Sequence, residues 1–365
     1  MLRIMVPIHS FAPGGVERVA LRLAAEWRKA GHDVTIALGR DDPPGVHRFP
    51  GLRFLIKHSR VPTARWETIW MIFCLWRFAR AERPDAIFCP GNSYAVVGAA
   101  LRLLLGRRCP PLILKISNEL DRADMGRVGG GFYRFWLRVQ GRCFVRLIVP
   151  DDALVAQVER LLRPLPGVIA AIPNPLLTDA EIVALSASRT DMRERRALRF
   201  IAVGRLEPQK NYPLMLRAFA AGAGPDDRLA ILGEGRQRRR IEALVEKLGL
   251  GDRVILPGHV DPAPWLAAAD AYLLSSDYEG VPAAMVEALA AGLAVVATDC
   301  TPAMRSLSAG GAATLVPRGD AKALAAAIAA RSGQAPDHAA QIAVARRYEL
   351  GAAARHYLDL VAALG

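Results

Sequence analysis

Ser275-Ser-Asp-Tyr-Glu279-Gly280-Val281-Pro282-Ala-Ala-Met-Val-Glu287-Ala-Leu-Ala-Ala-Gly292 follows the apolar run Ala271-Tyr-Leu-Leu274 and opens a helical pattern. A buried strand that runs through a Gly-Pro loop into a helix is the repeating unit of a parallel sheet covered by helices. Pro282 suits the first helical turn, and Gly280 permits an unusual backbone just before it. The free amides at such a helix start, aligned with its dipole, form an anion site of a size for a diphosphate. Glu287 falls a turn and a half into the helix, where side chains lean toward the N-terminus, so its carboxylate can reach a ribose diol just beyond the anion. Glu279, on the loop, can accept hydrogen bonds from sugar hydroxyls. The alternative is that both glutamates are ordinary helix-start acids favoured by the dipole.

Outward from this segment the same alternation runs through most of the chain. Strand candidates lie at 3–8, 33–38, 52–56, 86–89, 112–115 and 147–149, then at 199–203, 228–232, 254–257, 271–274, 294–297 and 313–316. The class is α/β, with two doubly wound parallel sheets. Between the two sets, Ile172-Pro-Asn-Pro-Leu176 blocks helix and forces extended backbone, which marks a hinge. The expected domains are 1–175, 176–347 and a terminal segment, 348–365. At 365 residues, 52% hydrophobic and 23% charged, the chain is long enough for two cores and has globular composition.

No run of about 18 apolar residues reads as a membrane span. The first residues, Met1-Leu-Arg-Ile-Met-Val-Pro-Ile8, lack the h-region and cleavage site of a signal peptide and read as a strand. Cys74, Cys89, Cys109, Cys143 and Cys300 are odd in number and scattered, with neither disulfide-framework nor zinc-site spacing. The expected location is the cytoplasm. A formal charge of +13 calls for anionic partners or reflects an arginine-rich composition.

A second group, Val203-Gly204-Arg205-Leu-Glu-Pro-Gln-Lys210-Asn211-Tyr-Pro213, also stands where a strand ends and a helix begins, with Asn211 placed as a cap. Ligands of open parallel sheets bind at such ends. Arg205 offers a planar fork and Lys210 a point charge, a pair suited to a diphosphate whose charge grows as a group departs. A third group, Pro13-Gly14-Gly15-Val-Glu17, leads into an amphipathic helix over 16–30 that ends at Gly31, and its glycines allow close backbone approach to a ligand.

Taken together these residues resemble glycosyltransferase family four, the retaining enzymes of the GT-B fold, over essentially the whole chain. The E-x7-E pattern is Glu279 to Glu287, the Gly-Arg…Lys pattern is Gly204, Arg205 and Lys210, and the N-terminal Gly-Gly-x-Glu is Gly14, Gly15 and Glu17. Gly31-His32-Asp-Val-Thr35, Gly233-Glu-Gly235 and Pro257-Gly258-His259-Val260 are similar to further family segments. The resemblance implies two Rossmann-like domains facing a deep interdomain cleft, with 348–364 as a helix crossing back to the first. It also implies donor phosphates on Arg205 and Lys210, the ribose on Glu287, the donor sugar on Glu279, and the base near Gly258, His259 and Val260. Gly14, Gly15, Gly280, Val281 and Pro282 complete the donor-binding set. Many relatives place a histidine after the fifth strand. Here the stretch reads Lys115-Ile-Ser-Asn118-Glu119, so Asn118 is left to orient the sugar.

No Asp-x-Asp occurs, so no metal is expected; the resemblance implies a nucleotide diphosphate sugar, UDP- or GDP-linked, as co-substrate and no other cofactor. Retention would need no covalent nucleophile, since a phosphate oxygen takes the acceptor proton. Inversion would need a base, with Glu119, Asp121 or His9 as candidates. On the acceptor side, Arg134, Arg138, Arg142 and Arg146 recur every four residues and are expected on one helix face, suited to an anionic inner-membrane surface or simply solvated. The run Ile69-Trp-Met-Ile-Phe-Cys-Leu-Trp76 is too short to span; it reads as a helix that grazes a bilayer or packs on the sheet. The expected activity is hexosyl transfer to a lipid-linked or surface-glycan acceptor in bacterial polysaccharide or glycolipid assembly. Rival readings are a nucleotide-sugar epimerase or phosphorylase of the same architecture, and a basic nucleic-acid-binding protein supported by charge alone. A dinucleotide oxidoreductase is disfavoured because no G-x-G-x-x-G follows the first strand.

Overall fold

Apolar runs covered on both faces become central parallel strands. The computed structural model describes residues 1–11, 15–39, 49, 51–59, 63, 66–117, 120, 127–187, 197–330 and 337–364, and only the backbone of 127 and 128. Gly14, Asn118, Glu119 and Asp121 lie outside the described residues, as does most of the polar stretch 186–196.

The first sheet contains β1 (Arg3–Ile8), β2 (Asp33–Leu38), β3 (Arg53–Ile56), β4 (Ala86–Cys89), β5 (Leu112–Lys115), β6 (Arg146–Val149) and β7 (Ile169–Ala171). Their order is β3-β2-β1-β4-β5-β6-β7, and every pairing is parallel. The second sheet contains β8 (Arg199–Val203), β9 (Arg228–Leu232), β10 (Val254–Gly258), β11 (Ala271–Leu274), β12 (Ala294–Thr298) and β13 (Thr314–Val316), in the order β10-β9-β8-β11-β12-β13, again parallel. Each order reverses direction once, between β1 and β4 and between β8 and β11, and the strand ends beside such a reversal are open to a ligand.

The chain forms two compact units, Met1–Pro175 with Leu350–Gly365, and Leu176–Glu349. The helix Leu350–Ala362 therefore belongs with the first sheet. There the indole of Trp27 donates to the Ala354 carbonyl at 3.1 Å, and Trp27, Phe88 and Tyr357 meet at edge and tilted angles. In the second unit the Glu349–Leu177 bridge and the Leu176 amide, donating to the Tyr348 carbonyl at 3.0 Å, tie the end of that segment to its beginning.

Two sequence readings change. β7 is an unanticipated seventh strand; three half-buried residues at a sheet edge carry too little apolar pattern to stand out. The four-residue arginine period does not lie on a single helix. The helix runs Arg127–Cys143 and carries Arg134, Arg138 and Arg142, whereas Arg146 is the first residue of β6, its guanidinium donating to the Val145 carbonyl. The helix stops because Phe144 is drawn into the core against Gly98, where a Cβ would meet the phenyl ring at 2.7 Å, and Val145 begins to bond Leu112 of β5. A period of four persists across such a break, so it cannot mark where the helix ends.

Candidate active site

Two loops leave adjacent strand ends at the reversal point of the second sheet. One follows β8 and holds Gly204, Arg205 and Lys210; the other follows β11 and holds Ser275 to Pro282. Gly204 stands in a crowded place, since a Cβ there would stand 3.0 Å from Cε of Lys210 and 3.2 Å from the Tyr212 hydroxyl, which donates to the Gly204 carbonyl. On the other side Gly233, at φ +139°, presses against that carbonyl oxygen, closer than any side chain would allow.

The first loop makes a short 3-10 turn over Pro208–Lys210 and then passes through Asn211 at φ 46°, ψ 45°. Asn tolerates this left-handed conformation better than most residues. Its side chain accepts from the Leu214 amide to cap the helix Tyr212–Gly222 and donates to Asp277 at 2.9 Å. The second loop is stitched to the first. The Asp277 amide donates to the Gln209 carbonyl at 2.9 Å, and the Ser275 hydroxyl donates to the carbonyls of Lys210 and Asn211 at 2.8 and 3.1 Å. The Gln209 amide donates to the Tyr278 carbonyl at 2.7 Å.

This stitching brings Lys210 and Glu279 together. The Lys210 ammonium lies 2.6 Å from Oε1 of Glu279, and the Ser276 hydroxyl donates to the same oxygen at 2.7 Å. Ser276 is itself fully buried and held by the Thr298 hydroxyl, which donates to its carbonyl at 2.7 Å. Glu279 is buried, and its carboxylate is both paired and hydrogen-bonded. Its field, added to burial, pushes the neighbouring hydroxyls of Tyr212 and Tyr272 up, burial being the larger cause in both. The Cys300 thiol is likewise pushed up to about 12, first by burial and then by Glu279. That thiol is inert as a nucleophile at neutral pH.

Oε1 of Glu279 is thus saturated, while Oε2 has one long contact, 3.5 Å from the Gln209 amide. Oε2 is the less engaged oxygen of this carboxylate. Immediately downstream, Pro282 takes the N-cap position, one residue before the expected first turn, and the helix Ala283–Ala290 begins. Among the described residues, no protein acceptor takes the amides of Gly280, Val281, Ala283 and Ala284. Glu287 is half-buried on that helix, near enough to add to the field at Tyr272. The helix closes at Gly292, φ +69°, whose missing side chain leaves room for the His338 ring.

Arg205 is exposed, and its charge acts on Glu207. Arg236 bonds Glu207 at 2.8 Å and, with a smaller contribution from Arg205, holds that carboxyl below its ordinary range. At the end of β10, Gly258 adopts φ +88°, and His259 and Val260 are exposed. A Cβ on Gly258 would meet Oε1 of Glu234 at 2.9 Å; Glu234 is held by Arg238 at 2.6 Å, and Arg238 also donates to the Leu256 carbonyl at 2.8 Å.

The first unit has its own polar group at the β1/β4 reversal. His9 stacks on Tyr94 with ring centroids 4.8 Å apart, its Nδ1 is 3.7 Å from Oε1 of Glu67, and the Tyr94 hydroxyl donates to Glu17 at 3.2 Å. Gly15 opens the helix Gly15–Lys29 with open space where a Cβ would stand. Sequence reasoning missed Ser276, Gln209 and the Glu234–Arg238 pair. The four-residue spacing of Glu234 and Arg238 was a visible signal; that of Ser276 was not, because its role depends on Thr298 from the next strand.

A cation and a carboxylate are thus fixed together at adjacent strand ends of an α/β fold, beside helix-start amides that no described protein group takes. The family described as Glycosyl transferases group 1 matches residues 192–344, and that described as Glycosyl transferase 4-like domain matches residues 14–175. The chain belongs to this glycosyltransferase family and has the GT-B fold. HepE of Anabaena, in a crystal structure with UDP and glucose, superimposes with a TM-score of 0.80 at 18% identity, covering 100% of each chain. A GDP-mannose-dependent alpha-mannosyltransferase of Mycobacterium tuberculosis is 25% identical over 82% of this chain and 79% of its own length. The Campylobacter jejuni N-acetylgalactosamine-N,N'-diacetylbacillosaminyl-diphospho-undecaprenol 4-alpha-N-acetylgalactosaminyltransferase is 36% identical over 29% of this chain, which spans only 29% of that enzyme's length.

Proposed function

We propose that this chain is a retaining hexosyltransferase, using a UDP- or GDP-linked sugar and a lipid-linked or surface-glycan acceptor at the cytoplasmic face of a membrane. The observation that carries the reading is the Lys210–Glu279 pair, 2.6 Å across, beside the amides of Gly280, Val281, Ala283 and Ala284, which no acceptor takes among the described residues. An ammonium has three donors, so Lys210 can keep Glu279 and still bind a phosphate oxygen. Arg205 adds a planar fork on the solvent side, and the helix-start amides complete a cradle for the diphosphate. Oε2 of Glu279 takes a hydroxyl of the donor sugar and Glu287 the ribose, with Gly258 to Val260 lying against the base. Asn118 is assigned the orientation of the sugar.

In the reaction the bond from the anomeric carbon to the phosphate oxygen breaks as the acceptor oxygen bonds to the same face of that carbon. The acceptor proton passes to a phosphate oxygen, and the charge gathering on the departing diphosphate is met by Lys210, Arg205 and the amides. No metal takes part. Peripheral contact with an anionic membrane is assigned to Arg134, Arg138 and Arg142.

The test is a screen of UDP-, GDP- and ADP-sugars by thermal shift, followed by nucleotide release with candidate acceptors in chelator. Release that depends on an acceptor and survives chelation supports the reading. Conversion of the donor without an acceptor would identify an epimerase, and loss of turnover in chelator would sink the metal-free mechanism.

A further inference from the structure

We propose that the solvent face of the helix Glu67–Glu82 is a track for an acidic glycan chain, its sugar rings lying on Trp66, Phe73 and Trp76 and its carboxylates meeting Lys57, Arg77 and Arg80. The inference deepens the acceptor side of the transferase reading, and rests on it only for the presence of a glycan.

The helix buries Met71, Leu75 and Ala79 in the core of the first unit. By helical spacing Ile69, Phe73, Trp76 and Arg80 fall on the opposite side, where a surface helix normally carries polar residues. Here Ile69 is 65% exposed and Phe73 38%, with Trp66 and Trp76 half-buried beside them. The rings stand in file. The centroids of Trp66 and Trp70 are 5.3 Å apart, those of Trp70 and Phe73 5.5 Å, and those of Phe73 and Trp76 6.2 Å. Trp70 is the buried member and braces its neighbours, so the outer rings are fixed before any ligand arrives. Each step is comparable to the length of one sugar ring.

Charge decides what lies on the file. Lys57, just beyond β3, holds its ammonium 5.8 Å from the Phe73 centroid, and Arg80 holds its guanidinium carbon 4.9 Å from that of Trp76. Arg77 is exposed on the same side. The two acids of the helix are turned elsewhere, Glu82 to a forked bond from Arg53 at 2.9 and 3.0 Å and Glu67 toward His9 at 3.7 Å. A pyranose has an apolar face of C–H groups and a polar rim, so it can lie on a ring and still reach the cation beside it. A sugar carboxylate completes the match, since a guanidinium takes it through two parallel hydrogen bonds. A bilayer interior fits less well, because rings entering hydrocarbon would draw the charges of Lys57 and Arg80 in with them. A second copy docked here would set cations against cations.

The test is titration of the full chain with oligogalacturonates of increasing length, followed by tryptophan fluorescence, with malto-oligosaccharides and polyglutamate as comparisons. Saturable binding to the oligogalacturonates is expected, tightening with length until the chain spans Trp66 to Trp76, about 15 Å along the helix. Malto-oligosaccharides, which lack the charge, and polyglutamate, which lacks the rings, should each bind about tenfold more weakly or worse. Phe73→Ala should weaken oligogalacturonate binding about tenfold, and Arg77→Gln with Arg80→Gln by a similar factor. Phe135→Ala, an exposed ring on the helix Arg127–Cys143, should leave it unchanged. All of these side chains are exposed, and melting temperatures equal to the parent's show that the fold is intact. The proposal is overturned by absence of binding to oligogalacturonates, by equal binding of either comparison polymer, or by equal loss in Phe135→Ala. It is also overturned if the Phe73 and arginine variants release phosphatidylglycerol vesicles while glycan binding is unaffected, which would make the face a membrane contact. No nucleotide sugar is present in the titration, so its failure leaves the transferase reading standing. Glycan binding with no response to any nucleotide sugar would sink that reading and leave the track.

Discussion

Two lysines at the ends of central strands, one in each unit, treat their charge in opposite ways. Lys115 closes β5 and is buried, with no ion pair among the described residues; burial alone pushes its ammonium down to about 8 from an ordinary 10.5. Lys210 follows β8 and sits against Glu279, which Ser276 holds from the other side. A buried charge is tolerated either by losing its proton or by gaining a partner. The second unit supplies the partner, a carboxylate 2.6 Å from the Lys210 ammonium.

Breaking the Lys210 pairing should have the largest effect. Lys210→Met is expected to lower kcat by about 100- to 1,000-fold and to destabilise the second unit by about 3–5 kcal/mol, because Glu279 is left as an unpaired buried charge. Steady-state kinetics and urea unfolding measure the two. The double variant Lys210→Met, Glu279→Leu should recover stability without recovering turnover; recovery of both would mean the pair serves the fold alone.

Lys115→Met should do the reverse and stabilise. Because the folded lysine releases its proton near pH 8 and the unfolded one near 10.5, the unfolded chain binds more protons between those values, so the parent's stability rises with pH across that window. Below pH 8 the parent bears the full cost of a buried ammonium, about 3 kcal/mol. The variant's advantage should therefore be complete at pH 7 and gone by about pH 10.5, as read by thermal melts over pH; a constant advantage would show that packing rather than charge is responsible.

Ser276→Ala should fall in between on activity and lower on stability, costing about 1–3 kcal/mol for one lost hydrogen bond to a buried carboxylate. Since Lys210 remains, the expected signature is a fall in kcat at little changed donor KM, with the charge pair intact but the carboxylate free to swing. Smallest of all, Arg134→Gln, Arg138→Gln and Arg142→Gln should leave melting temperature and turnover on a water-soluble acceptor nearly unchanged, within about 0.5 kcal/mol in stability each.

The loop from Ser275 to Gly292 could be read because its instructions are local. Gly280 and Pro282 set a helix start, and Glu279 and Glu287 sit at fixed distances from it along the chain. The strands of both sheets were legible for a similar reason, since a strand covered on both faces is a continuous apolar word. The three half-buried residues of β7 were not, and neither was the end of the arginine helix, because Phe144 leaves it for a gap opposite Gly98 that lies far away in sequence.

What the sequence determined by itself was therefore the α/β class, the two cores and the strand-end loops that carry the motif residues, all of which follow from periodicity and short-range backbone geometry. Only the tertiary structure decided that Lys210 and Glu279, 69 residues apart, share one oxygen with Ser276, and that Lys57, beyond the end of a strand, stands over the Phe73 ring of a helix. Both depend on which strands and helices become neighbours. That order is set by the packing of the whole core, and no local run of residues encodes it.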